Sequence, residues 1–496
     1  MFFIAYFIFE GKMEKNDLIE VLIEDVSLDG KGIARYNGIV IFVPFAAVGD
    51  KLIVKILKVK KDYAFGKTEK ILKKSLHRIN VDCDSYYKCG GCVFRHISYD
   101  EELRIKSKFV KDSLNKFAGI TNFNVSDIIG AKDINHYRNK AQVPVRYNRD
   151  QKIISGFFSP HSHNVVECLD CKLHPKEFDK IIFEIKKWMQ FYKIVPYDET
   201  ANTGLLRHIY LRYAKSTNEI MVCLVINGES IPCKDILVRN LTGKFENIKS
   251  ICLNINRKST NVILGDKNKV LFGEDFIQDI LCDTRFNISP LSFYQINHDQ
   301  TEIMYDIAKN MLNLKNTDNV LDLYCGIGTI GLTMALDINK LLGIEVIKQA
   351  VENAIKNSEI NNIRNSDFIC GDVVEEIDYI SSYIKNVNTI IIDPPRKGCD
   401  GRLIDTIMKI SPEKILYISC NPCTWARDLK ILCKQSYNLR SVVPIDLFPR
   451  TGHVEVVCLL SKLKSDKHIN VELEMDKLDL TAEKSKATYA DIEKLC

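Results

Sequence analysis

Three groups of residues in this 496-residue chain have types and spacings suited to chemistry. Cys83, Cys89 and Cys92 lie as C-x5-C-x2-C in CDSYYKCGGC. Thiolates so close need one distant sulfur to complete a four-sulfur metal site, and Cys168 and Cys171 are the candidates. Zinc and an iron-sulfur cluster both accept four thiolates, so spacing alone leaves the metal open. Residues 320–332, VLDLYCGIGTIGL, read as a strand, a glycine turn and the start of a helix. Gly326, Gly328 and Gly331 form G-x-G-x-x-G, which lets backbone approach a ligand at the strand's carboxyl end. Taken alone, that pattern fits a dinucleotide equally well. Cys420, in Ser419-Cys420-Asn421-Pro422, and Glu455, in Gly452-His453-Val454-Glu455, offer a thiol nucleophile and a general base. A lone strand-end cysteine is usually a small hydrophobe, but a ligand site and a candidate base nearby reverse that expectation.

The elements that must position these groups are visible as texture. From about residue 290 the apolar runs NVLDLY, KLLGIE, SDFICGD, NTIIID and KILYISC alternate with helical segments, as in a doubly wound α/β domain. Glu345 ends the second run, where it could accept hydrogen bonds from ribose hydroxyls. Asp372 ends the third, where an adenine amine would lie. The fourth run leads into Asp393-Pro394-Pro395-Arg396. Glycine loop, acid, acid and Asp-Pro-Pro on four successive strand ends resemble the S-adenosylmethionine-dependent methyltransferase fold over most of residues 290–461. An adenine amino-methyltransferase would usually place an aromatic where Arg396 stands, and it would leave Cys420 and Glu455 without a task.

Residues 17–74 alternate short strands with glycine turns, as in a small β-barrel. Residues 12–80 hold fourteen Lys and Arg against nine Asp and Glu, while the rest of the chain carries 55 of each. This segment therefore accounts for the whole net charge of +5 and suggests contact with a polyanion. Tyr36, Tyr63 and Phe65 lie among its lysines as candidate stacking groups, whereas Phe42 reads as barrel interior. Residues 99–117 have helical periodicity, and 127–285 are rich in strands with one helix near 176–192. Seventeen cysteines, an odd count with irregular spacing and no secretory signal, argue for reduced thiols and against a disulfide scaffold. The opening MFFIAYFIF is too short for a membrane span or a signal peptide, and Met13 serves as well as Met1 as a start. No run approaches a spanning length, so no membrane association and a cytoplasmic location are expected.

Read together and in order, LSFYQIN around Gln295, DLYCGIGTIGL, DPPRKG, SCNPCTWARDL and FPRTGHVEVV resemble the RNA uracil-5-methyltransferase family. The resemblance runs from about residue 16 to 461 and includes an amino-terminal barrel similar to a TRAM domain. It implies a multidomain α/β protein: an OB-like TRAM β-barrel over 16–74, an α+β iron-sulfur domain over 75–98 and 127–285, and a doubly wound, Rossmann-like methyltransferase domain over 99–126 and 286–461. A tail, 462–496, has no assigned role. Cys420 is then the nucleophile that adds to uracil C6, and Glu455 the base that removes the C5 proton. C5 is a poor nucleophile until a thiolate has added at C6, which is why a thiol belongs there. Gln295, Tyr324, Glu345, Asp372 and Asp393 are implied to contact S-adenosylmethionine or the reacting centre, beside Gly326, Gly328 and Thr329; some members carry Asn at the last position. GFFSPHSHNVVECLDC puts Cys171 in register as the fourth ligand, with Cys83, Cys89 and Cys92, of a 4Fe-4S cluster. Cys168 is a spare, and zinc is the less favoured metal. Members with both barrel and cluster mostly act on 23S ribosomal RNA, which makes ribosomal RNA the expected partner of a monomer. The target uridine must come from a loop or be flipped out, with the basic barrel and Arg138-Asn139-Lys140 on the RNA backbone. Transfer-RNA methylation and a non-catalytic, RNA-binding ribosome assembly factor are the alternative functions.

Overall fold

The computed structural model describes residues 13–376, 380 and 383–463; the apolar start and nearly all of the carboxyl-terminal tail lie outside the described residues. The first six strands are β1 (Leu18–Leu22), β2 (Asp25–Val26), β3 (Lys31–Tyr36), β4 (Ile39–Pro44), β5 (Lys51–Val59) and β6 (Tyr63–Lys73). They form one sheet in the order β1-β5-β6-β4-β3-β2, antiparallel except for β4 against β6. The sheet curls until β1 also touches β3. Its core takes Ile41 and Val43 from β4, and Met13 packs there as well. Because side chains alternate along a strand, burying Ile41 and Val43 sends Phe42 to the other face. The expectation of an interior Phe42 is therefore corrected. Phe42 lies 5.8 Å from the Phe65 ring and 6.0 Å from Tyr63, an aromatic group on the outer face.

The middle strands are β7 (Lys140–Tyr147), β8 (Ile153–Phe158), β9 (Val165–Glu167), β10 (Leu206–Ala214), β11 (Glu219–Ile226), β12 (Ile248–Ile255) and β13 (Lys267–Gly273). Their sheet runs β13-β12-β11-β10-β7-β8-β9. Helix Lys176–Phe191 packs on it through Phe178, Ile181 and Ile185. A second helix, Lys234–Lys244, was missed in the sequence; it supplies the crossover that the parallel pair β11–β12 requires. The hairpin β14 (Ile277–Leu281) and β15 (Thr284–Ile288) shares its core with the strands that follow, through Phe286 and Ile288.

The last sheet contains β16 (Asn319–Leu323), β17 (Lys340–Glu345), β18 (Ser366–Cys370), β19 (Thr389–Ile392), β20 (Lys414–Ser419), β21 (Tyr437–Ile445) and β22 (Glu455–Lys462). Its order is β18-β17-β16-β19-β20-β22-β21; β16 to β20 are parallel, and β22 is antiparallel to both neighbours. Near-continuous apolar burial in β16, β17, β19 and β20 reflects helices on both faces. The order reverses between β16 and β19, and the crevice at the carboxyl ends beside such a switch point is where open α/β sheets bind ligands. Helix Tyr99–Ser113 packs on this sheet although it precedes the middle one, touching β21 and helix Pro422–Gln435. Its first turn is stabilised by Ser98, whose side chain accepts from Glu101 N at 3.4 Å, and by Asp100, Glu101 and Glu102 against the helix dipole.

Candidate active site

The turn after β16 uses backbone that ordinary residues avoid: φ is +62° at Tyr324, +55° at Gly326 and +82° at Gly328. A Cβ on Gly326 would meet nothing within 4 Å, whereas one on Gly331 would press within 2.8 Å of Asp322 Oδ2. The first glycine leaves room for a ligand, and the last lets the helix approach the strand. Asp322 accepts from Gly331 N at 3.0 Å, and burial pushes its carboxyl up to about 7. Thr329 opens the helix and accepts from the Tyr305 hydroxyl at 3.0 Å. At the end of β17, Glu345 accepts from Gly326 N at 3.2 Å and from Ile347 N at 2.9 Å. Asp372, past β18, is exposed and accepts from Val374 N at 2.8 Å.

Asp393 follows β19, and burial raises its carboxyl to about 7. Gln295 Nε2 donates to it at 3.5 Å. The Gln295 carbonyl in turn accepts from Asn139 Nδ2 at 2.9 Å, and Asn139 N donates to Ile296 O at 2.9 Å. Asn139 is thus a buried tie to the Gln295 segment, which corrects its reading as an RNA backbone contact. Cys420 follows β20. The antiparallel direction of β22 brings its first residue, Glu455, to the same edge, since Ser419 pairs with Val456. Cys420 is half-buried. Burial, then Glu455 and Asp393, push its thiol up to about 12, while Arg396 opposes them through charge and a hydrogen bond. Glu455 is buried, and its Oε2 has no hydrogen-bond partner among the described residues. Burial and then Asp393 raise its carboxyl well above the usual range, again against Arg396. Arg396 served in the sequence only to disfavour an adenine amino-methyltransferase and was given no role at the site; a cation directly after Asp-Pro-Pro at a strand end full of acids was the available signal.

A cavity of about 380 Å³ is lined by Cys83, Cys89, Cys92, Cys168 and Cys171. Gly91 N donates to Cys89 Sγ, and Arg95 Nε to Cys92 Sγ, each at 3.3 Å. Cys168 beside it, and then His174, hold the Cys171 thiol well below its ordinary value against burial. Among the described residues no three His, Cys, Asp or Glu are gathered tightly enough for a metal ion. No helix among the described residues is long and apolar enough to cross a membrane.

A family model described as tRNA (uracil-5-)-methyltransferase matches residues 98–463, and a TRAM-domain model matches residues 12–68. An uncharacterised RNA methyltransferase of Halalkalibacterium halodurans is 41% identical over 451 residues, covering 91% of this chain and 98% of that protein. One from Caldanaerobacter subterraneus is 41% identical over 453 residues, covering 91% and 100%. The crystal structure of the Pyrococcus abyssi tRNA (uracil-54, C5)-methyltransferase in complex with S-adenosyl-L-homocysteine superposes with a TM-score of 0.72. That protein is 29% identical, and the match covers 89% of this chain and all of the other.

Proposed function

The chain belongs to the tRNA (uracil-5-)-methyltransferase family, and on that premise we propose that it methylates C5 of a uridine in RNA through a covalent bond from Cys420 to C6. The observation that carries this is the juxtaposition, at one sheet edge, of a half-buried thiol and a buried carboxylate with one oxygen unpartnered among the described residues, next to the glycine turn. S-adenosylmethionine fits that turn: Gly326 leaves open space, and Asp393 and Glu455 form a desolvated acidic wall suited to a cation. Glu345 and Asp372 would hold its ribose hydroxyls and adenine amine, with Tyr324, Gly328 and Thr329 shaping the turn, and Gln295 and Asp393 at the reacting end. When bound, it supplies the electrophilic methyl group that the activated C5 takes.

The Cys420 thiolate forms a bond to C6, and the electrons of the C5=C6 bond move to O4 as an enolate. After methylation Glu455 takes the C5 proton. The freed pair re-forms C5=C6 and expels the Cys420 thiolate. Burial and Asp393 raise the Glu455 carboxyl well above its ordinary value, which strengthens its carboxylate as a proton acceptor. Cys420→Ala is expected to abolish both methyl transfer and the covalent adduct with 5-fluorouridine-substituted RNA. Methyl transfer persisting in that variant overturns the mechanism.

The five-cysteine cavity offers a 4Fe-4S cluster the four thiols it takes, Cys83, Cys89, Cys92 and Cys171, and N–H groups already donate to two of these sulfurs. Such a cluster would act as a structural clip between loop 83–95 and the loop after β9 that carries Cys171. Anaerobically prepared protein is expected to hold about four iron and four acid-labile sulfide per chain, and Cys89→Ser to hold little of either. One zinc per chain without sulfide overturns this assignment.

The substrate we propose is 23S ribosomal RNA, supported by the pairing of a TRAM domain with a four-cysteine set. Transfer RNA is the second reading, favoured by the Pyrococcus neighbour. Labelled methyl transfer to each purified RNA separates them; transfer to transfer RNA alone overturns the ribosomal reading and leaves the uracil chemistry standing.

A further inference from the structure

We propose that Arg95 is a positioning residue for the cluster, donating hydrogen bonds at the Cys92 sulfur and favouring the cluster's reduced form. The inference rests on the reading of Cys83, Cys89, Cys92 and Cys171 as 4Fe-4S ligands and gives a role to a residue outside that set. Residues 82–95 contain no helix or strand, so side chains must hold this loop in place. Arg95 is 2% exposed and lines the cavity of the five cysteines.

Its three guanidinium nitrogens have different surroundings. Nη1 donates to both carboxylate oxygens of Asp82, at 3.0 and 3.1 Å, and to Asn135 Oδ1 at 3.0 Å, which occupies its hydrogens. Nε donates to Cys92 Sγ at 3.3 Å. Nη2 is buried and has no hydrogen-bond partner among the described residues. A guanidinium is planar, and the Nε hydrogen and one Nη2 hydrogen leave it on the same edge. Nη2 therefore points to the side on which Cys92 Sγ lies. A buried donor without an acceptor is rare and needs an explanation. Cluster sulfur supplies one, as an anionic acceptor beside the cysteine that the arginine already contacts. Charge acts in the same sense. Four thiolates on a 4Fe-4S core make a dianion, and one added electron makes a trianion. A buried cation stabilises the second more than the first. Arg138 and Lys140 also line the cavity, but among the described residues Arg95 is the cation whose side chain donates to one of these sulfurs. Asp82 opposes it with a side chain that is 49% exposed, so water screens part of that charge. An arginine that only tied the loop to Asp82 and Asn135 would leave the potential of an assembled cluster unchanged.

The discriminating experiment is a redox titration of the full chain, prepared anaerobically with its cluster, followed by EPR with titanium(III) citrate as the one-electron reductant. Arg95→Gln is expected to lower the midpoint. At the parent's midpoint potential its ratio of reduced to oxidised cluster should fall about tenfold or more, and tenfold is about 59 mV for one electron. Arg95→Lys keeps the charge and loses the fork, and its midpoint should lie between the two. A second readout decides the case in which Arg95→Gln holds no iron. Parent protein grown on arginine labelled with the heavy nitrogen isotope should show a nitrogen hyperfine coupling in the pulsed EPR spectrum of the reduced cluster, and Arg95→Lys should lose it. An unchanged midpoint in cluster-loaded Arg95→Gln overturns the proposal, as does a parent spectrum without the coupling. Either result in protein that holds iron and sulfide leaves the cluster assignment standing, whereas zinc without sulfide removes both.

Discussion

Glu455→Gln is expected to stop turnover while the protein–RNA adduct accumulates on ordinary uridine RNA. The substitution keeps shape, and the β22 register against β20 and β21 should hold the amide where the carboxylate stood. What it removes is the capacity proposed for Glu455, to take the C5 proton, the event that would free Cys420. Losing one positioned general base lowers the rate by about 10²–10⁴-fold. The test is labelled methyl transfer alongside a denaturing gel for the adduct; a variant that neither accumulates adduct nor loses turnover removes Glu455 from its role. The pH dependence has a defined sign. Burial and Asp393 raise the Glu455 carboxyl above its ordinary 4.5, so the basic form is present above that raised value and is lost as pH falls through it. Below it, the proton-abstraction step slows about tenfold per unit. Asp393→Asn removes the neighbouring like charge, and the acid limb of the residual activity should move to lower pH.

Much of this site could be read without coordinates because parallel strands deliver their carboxyl ends to one edge. Gly326, Glu345, Asp372, Asp393 and Cys420 each end a recognisable apolar run, so a strand count sufficed to gather them. Glu455 was recognised from its motif, while its position depends on β22 running antiparallel, which no local pattern specifies. Arg396 and His453 stand 57 residues apart and meet only through the sheet order β19-β20-β22. Helix Lys234–Lys244 escaped notice because Asn240, Thr242 and Gly243 are weak helix formers and only Leu237 and Leu241 are buried; its crossover role makes it a helix. Phe42 was misplaced by residue type, where the alternation along β4 decides. Asn139 was misplaced because a polar residue between two cations looks solvated, yet its amide is used to hold the Gln295 segment. These errors share a cause: long-range pairing overrides what composition suggests.

Lys106→Met is expected to destabilise the carboxyl-terminal sheet by about 3–5 kcal/mol, the usual cost of removing one partner from a buried ion set. Lys106 is fully buried, and its Nζ donates to Glu102 Oε1 and Asp446 Oδ1, each at 2.8 Å, and to Phe448 O at 3.1 Å. Tyr99 completes the other side of Asp446 at 2.9 Å, and Arg450 N donates to Glu102 Oε1 at 2.6 Å. The network fastens helix Tyr99–Ser113 to residues 446–450, just ahead of His453 and Glu455. Methionine fills similar volume but leaves Asp446 and Glu102 without the ammonium between them, and only the longer Arg450 contact to Glu102, at 3.5 Å, remains of the cations the network uses. The Glu102 carboxyl already lies above its ordinary value through burial, which Lys106 opposes; without the lysine it rises further. A folded-state value above the unfolded one means that stability is lost as pH rises through it, so the deficit of the variant should be larger at pH 8 than at pH 5.5. The chain has two tryptophans, and in a Trp188→Phe background urea unfolding can be followed by buried Trp425, on a helix that packs against helix Tyr99–Ser113. Adding Glu102→Gln and Asp446→Asn to Lys106→Met should recover part of the loss, because both carboxylates that face Lys106 lose their charge with it, while Arg450, 3.5 Å from Glu102 Oε2, keeps its own. A deficit below about 1 kcal/mol at pH 8, within the range of an exposed pair, would mean that the network does not hold this helix to the active-site loop.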